Sequence, residues 1–138
     1  MKHLFKWFIL FSLGGIFYIL IELLWRGYSH WTMFILGGTC FLSLGMINEF
    51  YDYGIPLILQ MFFGCIIITL LEFITGYIVN IKFGMNVWNY SDMPYNILGQ
   101  ICLPYMILWF FLSGACIIVD DWLRHILFDE DKPVYRFI

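Results

Sequence analysis

Between Met93 and Val119 the chain reads MPYNILGQICLPYMILWFFLSGACIIV, without one charged side chain. A helix rises about 1.5 Å per residue, so about 20 apolar residues cross the roughly 30 Å hydrocarbon layer of a bilayer. This run is long enough to do so. Similar stretches recur upstream. Trp7 to Ile21 is uncharged, and the apolar run continues past Glu22 to Trp25. Trp31 to Asn48 is uncharged, as is Tyr53 to Leu71, and apolar sequence resumes after Glu72 as far as Ile81. The pattern predicts an all-α membrane protein with four transmembrane helices, at about 4–26, 31–48, 55–81 and 96–120. The second is short and the third long, so the third is expected to tilt. Residues 1–125 then form one four-helix domain, and residues 126–138 a charged cytoplasmic tail.

Composition points the same way. The 138 residues include only 7 Lys+Arg and 10 Asp+Glu, or 12 % charged, against about 25 % in a soluble domain. Hydrophobic residues make up 62 % and aromatics 22 %, and the mean hydropathy is +0.85. So few charges cannot cover the surface of a soluble domain this small. That excludes a soluble enzyme, a nucleic-acid-binding domain and a disordered chain. Cys40, Cys65, Cys102 and Cys116 lie inside apolar runs and form no C-x-x-C pair, so they read as packing residues. No metal or cofactor is expected. Lys2 and Lys6 precede the first apolar run, but it is too long for a signal core and no small-x-small site follows it.

Lys and Arg set the expected orientation. One side of the four-span arrangement holds Lys2, Lys6, Arg124, Lys132 and Arg136; the other holds Arg26 and Lys82. Both termini are therefore placed in the cytoplasm, with a bacterial plasma membrane as the expected setting. Trp7, Trp25, Trp31, Trp88 and Trp122 fall near span ends, where aromatic belts form.

The two halves share a pattern. Tyr28-Ser29 is followed by Ile35-Leu36-Gly37-x-x-Cys40, and Tyr90-Ser91 by Ile97-Leu98-Gly99-x-x-Cys102, each pair offset by the same 62 residues. Glu22 and Glu72 lie late in the preceding helices. The chain thus reads as two repeated helical hairpins, related by a parallel pseudo-two-fold along the membrane normal.

Carboxylates within spans are costly and tend to mark function. Glu22 has Arg26 four residues on, the spacing of a same-face ion pair. Glu72 has no basic residue nearby in its helix, so it is read either as bonded to another helix or as part of a polar site. The same side of the membrane receives His30, Trp88, Asn89, Asp92, Asn96 and Gln100. Asn96 and Gln100 are expected four apart on one face of the fourth helix. The connection from Lys82 to Asp92 is expected to close over the helix ends. Gly14, Gly15, Gly37, Gly38, Gly45, Gly64 and Gly114 mark close helix approaches. No nucleotide-binding loop, nucleophile elbow or metal motif occurs in these residues.

The stretch Ile21 to Met33 with Leu36-Gly37-Gly38, then Leu71 to Gly76, Val87 to Ser91 and Asn96 to Cys102, resembles a family of type-IV ABC-transporter permeases (CmpB-like). The likeness extends over about residues 10–115 and rests on polar residues inside apolar helices. The family usually shows Trp-Asp-Tyr-Ser where this chain has Trp88-Asn89-Tyr90-Ser91, so the charge at that position is absent here. The resemblance implies a permease, with any ATPase on a separate chain.

The leading expectation is a small transporter or permease with an outward-facing polar site. That site comprises Glu22, Arg26, His30, Glu72, Trp88, Asn89, Asp92, Asn96 and Gln100. Four helices are few for a whole pathway, so a homodimer is expected. Two alternatives stand beside it. One is an accessory protein that recognises a lipid headgroup or partner helices. The other is a membrane-embedded enzyme that uses the paired carboxylates.

Overall fold

The computed structural model describes residues 2–51, 55–130, 132, 133 and 135, with the side chains of 2, 3 and 48–51 outside the description. Four long helices make up the fold: α1 (Lys2–Arg26), α2 (Trp31–Tyr51), α3 (Leu57–Gly76) and α4 (Leu103–Phe128). A π-helical turn, Tyr77–Lys82, prolongs α3. Three stretches are long and apolar enough to cross a membrane: Leu4–Arg26, Leu57–Lys82 and Leu103–Phe128. Trp31–Ile47 is a shorter apolar helix. α2 runs to Tyr51, past the expected end at residue 48, while residues 52–54, Arg136 and the side chain of Lys2 lie outside the described residues.

The fourth helix begins at Leu103, not at residue 96. Pro104 explains the difference. It lacks an N–H and would break a helix already under way, but it fits a first turn whose N–H groups have no partner anyway. Cys102 before it is extended (φ −151°, ψ 157°). Residues 96–101 instead turn tightly, with Leu98 and Gly99 at positive φ. Asn96 and Gln100 are therefore loop residues and do not share a helix face. The matched motif also takes different backbone in the two halves: Ile35–Cys40 is helical, whereas Ile97–Cys102 is not.

At its other end α4 runs past Val119 through two aspartates to Phe128, into the stretch expected as tail. Internal pairing makes this possible. Asp120 is fully buried and meets the Arg124 Nε at 2.7 Å, one turn along. Tyr135 donates to Asp121 at 2.7 Å, and Lys6 meets Glu130 at 2.5 Å, tying α1 to the end of α4.

Helix pairing follows the chain: α1 packs chiefly on α2, and α3 on α4, while α2 also touches α3 and α4. The α1–α2 seam is reciprocal. Gly14 and Gly15 of α1 receive Phe41 and Phe34 of α2; Gly37 and Gly38 of α2 receive Tyr18 and Phe11 of α1. A Cβ on Gly38 would lie 2.6 Å from the Phe11 carbonyl oxygen, which is backbone and cannot swing aside. Gly45 is notched in the same way by the Asp120 carboxylate. Lipid tails give helices no hydrophobic reason to pair, so such close approaches carry the association.

Two outcomes follow. Gly38→Val should cost about 1–3 kcal/mol by overpacking the seam, read as an earlier unfolding midpoint in mixed micelles. Exposed Ala115→Val is the matched control and should leave the midpoint in place. Arg124→Leu leaves Asp120 buried and without its cation, and should cost about 3–5 kcal/mol in the same titration.

Candidate functional site

Glu72 sits late in α3 and is only 2 % exposed. Each of its oxygens accepts one hydrogen bond. Trp109 Nε1 of α4 donates to Oε1 at 3.3 Å, and the Tyr90 hydroxyl donates to Oε2 at 3.3 Å. Among the described residues no cation pairs with it. Aromatic rings surround the carboxyl. Tyr90 stacks on Tyr105 (4.9 Å, 14°), Tyr105 leans on Trp109 (6.0 Å), and Tyr18 of α1 meets Trp109 edge-on (6.3 Å, 80°). Burial, and then the nearby Glu72, push the Tyr90 phenol well above its ordinary 10.0. Tyr90 thus stays a donor throughout the physiological range.

On its other side Glu72 looks into a cavity of about 380 Å³. This is within the size range of small-molecule sites, about 300–1,000 Å³. All four helices contribute walls, and the lining is almost wholly apolar. Among the described residues Glu72 is its one carboxylate, and none of the lining residues is Lys, Arg or His. Gly14 and Gly37 line it too, where Phe41 and Tyr18 pack on them. Leu20 and Leu24 of α1 and Ala115 and Val119 of α4 line the cavity and are exposed. The cavity therefore opens sideways between α1 and α4. In a bilayer that mouth faces acyl chains.

A polar cluster closes the loop end of the bundle. The Asn80 amide donates to Gln100 Oε1 (2.8 Å) and its oxygen accepts the Val87 N–H (2.7 Å). Trp88 Nε1 donates to the Gln100 carbonyl at 3.0 Å, and Gln100 Nε2 to the Leu98 carbonyl. Gly76 lets Gln100 and Trp88 approach the helix closely. The loop thus docks on the π-helical turn, and Trp88 and Gln100 are buried by it.

The expected site residues divide into three groups. Glu72 lines the cavity. Glu22 does not: it meets Arg26 at 2.5 Å, and Arg26 also donates to the Val87 carbonyl (3.2 Å) and lies over the Tyr28 ring. That group, with Trp88 and Gln100, fastens the loop. His30 accepts from the Thr32 N–H at 3.3 Å and caps α2. Asn89 accepts the Ser91 N–H at 2.9 Å, and Asn96 bridges Met93 and Gly99; both shape turns. Asp92 is exposed. Among the described residues no three His, Cys, Asp or Glu side chains gather closely enough to hold a metal ion. Sequence reasoning missed Tyr18, Tyr105 and Trp109. The only available signal was the four-residue spacing of Tyr105 and Trp109, which puts both rings on one helix face.

Gln100→Leu removes the acceptor of the Asn80 amide and should cost about 1–3 kcal/mol at the docked loop. Tryptic cleavage after the exposed Lys82 should then accelerate in micelles, while Asp92→Asn leaves it unchanged.

No solved structure matches the chain. A family model described as "Putative ABC-transporter type IV" does, over residues 6–129. Together with three helices long and apolar enough to span a bilayer, that match identifies a membrane protein belonging to this ABC-transporter-related family.

Proposed function

We propose that this chain is the membrane-embedded, permease-like component of a transport system, and that it admits an amphiphilic cargo sideways from the bilayer. The observation that carries this reading is the apolar cavity between α1 and α4, with Glu72 as the one carboxylate in its wall. An apolar tail would lie along the groove while a polar head reaches Glu72. Energy would come from a separate ATPase chain, since these 138 residues contain no nucleotide-binding loop. Both termini are placed in the cytoplasm by the Lys and Arg distribution, which puts Glu72 toward the outer leaflet. α2 completes a four-span bundle. A second copy of the chain would supply the helices that one groove lacks for a closed path.

The sideways mouth and the shortage of polar lining also favour an accessory role, in which the groove holds a lipid and moves nothing. Flux separates the two.

Photoactivatable alkyl probes in nanodiscs test the shared element. Crosslinks should concentrate on Leu20, Leu24 and Val119, and Ala115→Trp, which plugs the mouth, should reduce them by roughly tenfold. Labelling spread evenly over all lipid-facing helix surfaces would overturn the reading. Cargo movement in proteoliposomes containing the ATPase partner, lost in Glu72→Leu, would distinguish permease from accessory protein.

A further inference from the structure

The head of that amphiphile has a chemistry that the cavity itself specifies. At its polar corner the lining presents three groups together: the Glu72 carboxyl, the Trp109 indole and the Tyr18 phenol ring. The two rings stand at 80° to one another, 6.3 Å apart, so the corner is walled on two sides by aromatic surface. An aromatic ring carries negative charge on its face and attracts a cation placed over it. A carboxylate attracts the same cation directly.

Glu72 also has capacity to spare. Its partners Trp109 and Tyr90 are neutral donors, one to each oxygen. A carboxylate offers about four lone-pair sites, so about two remain open. The chain does not fill them with a charge of its own. Lys82, the nearest basic residue in sequence, is exposed, and Arg26 is held by Glu22 and by the Val87 carbonyl. Among the described residues no Lys, Arg or His lines the cavity, so none of them would hold a phosphate or carboxylate head there. The remainder of the groove suits a tail. From Trp109 to Val119 its α4 wall extends roughly 15 Å along the helix axis, and Leu44, Phe41 and Ile68 face it.

We infer that the groove selects amphiphiles bearing a cationic, ammonium-type head, seated against Glu72, Trp109 and Tyr18, with the alkyl chain lying along α1 and α4. The inference rests on the groove being a site for amphiphiles, as proposed above.

The test compares three probes of equal chain length: dodecyltrimethylammonium, dodecanol and dodecyl sulfate. Each is measured by equilibrium dialysis against the full chain in nanodiscs of zwitterionic lipid, with empty nanodiscs subtracted. The ammonium probe should bind roughly tenfold more tightly than the alcohol, and the sulfate more weakly than either. Glu72→Gln should abolish the ammonium preference while alcohol binding persists. Ala115→Trp should reduce binding of all three. The wild-type comparison stands even if Glu72→Gln fails to fold. Equal binding of the three probes, all sensitive to Ala115→Trp, would overturn the head-group assignment and leave the groove reading in place. An ammonium preference that survives Glu72→Gln would also overturn it. No binding of any probe by the wild type would overturn the groove reading itself.

Discussion

Helices in a bilayer gain nothing from hiding apolar surface, because the solvent is itself apolar. What holds them together must be close packing or polar pairing, and this chain uses both in separate places. The α1–α2 seam is built from glycine notches filled by aromatic side chains of the facing helix. The α3–α4 side relies more on polar bonds, Trp109 to Glu72 and Ser113 to the Met61 carbonyl, while the buried Asp120–Arg124 pair within α4 packs against Gly45 of α2. With α1 packed chiefly on α2, the space between α1 and α4 beyond the Tyr18–Trp109 contact is left open. The cavity is thus a by-product of where the adhesive contacts are.

That division sets the character of the site. Glu72 is bonded from two directions and keeps its position without a cation. The loop after the π-helical turn reaches back to deliver Tyr90, and Asn80, Trp88 and Gln100 pin the loop so that it can. Loop docking and carboxyl placement are therefore one structure. A fault in the amide cluster would reach Glu72 through Tyr90.

Much of this was legible in the sequence where charge was the signal. Uncharged runs gave the helices, and the four-residue spacing of Glu22 and Arg26 gave a real ion pair. Glu72 stood out because nothing near it in sequence could neutralise it. Other features depended on three-dimensional packing. Trp109 looks like any membrane aromatic until α4 is set against α3. Pro104 was a local signal for the helix start, hidden because a long apolar run around it suggested an earlier one. Asp120 and Arg124 have the same four-residue spacing as Glu22 and Arg26, but they stand where the last apolar run ends, which suggested a helix end near residue 120 and not a buried pair. Gly45 on α2, far away in sequence, is what lets the Asp120 carboxylate pack so closely there.

The way α1 is fastened has a mechanical consequence. At one end Lys6 meets Glu130 beyond α4; at the other Arg26 reaches the loop before α4. Between those tethers α1 has α2 behind it and little beside it. It stands as a gatepost latched at both ends by ionic and polar catches, and none of those residues lines the cavity. The middle, where a cargo would pass, is beyond their reach. The mouth beside α1 thus depends on contacts made by residues that are no part of its lining.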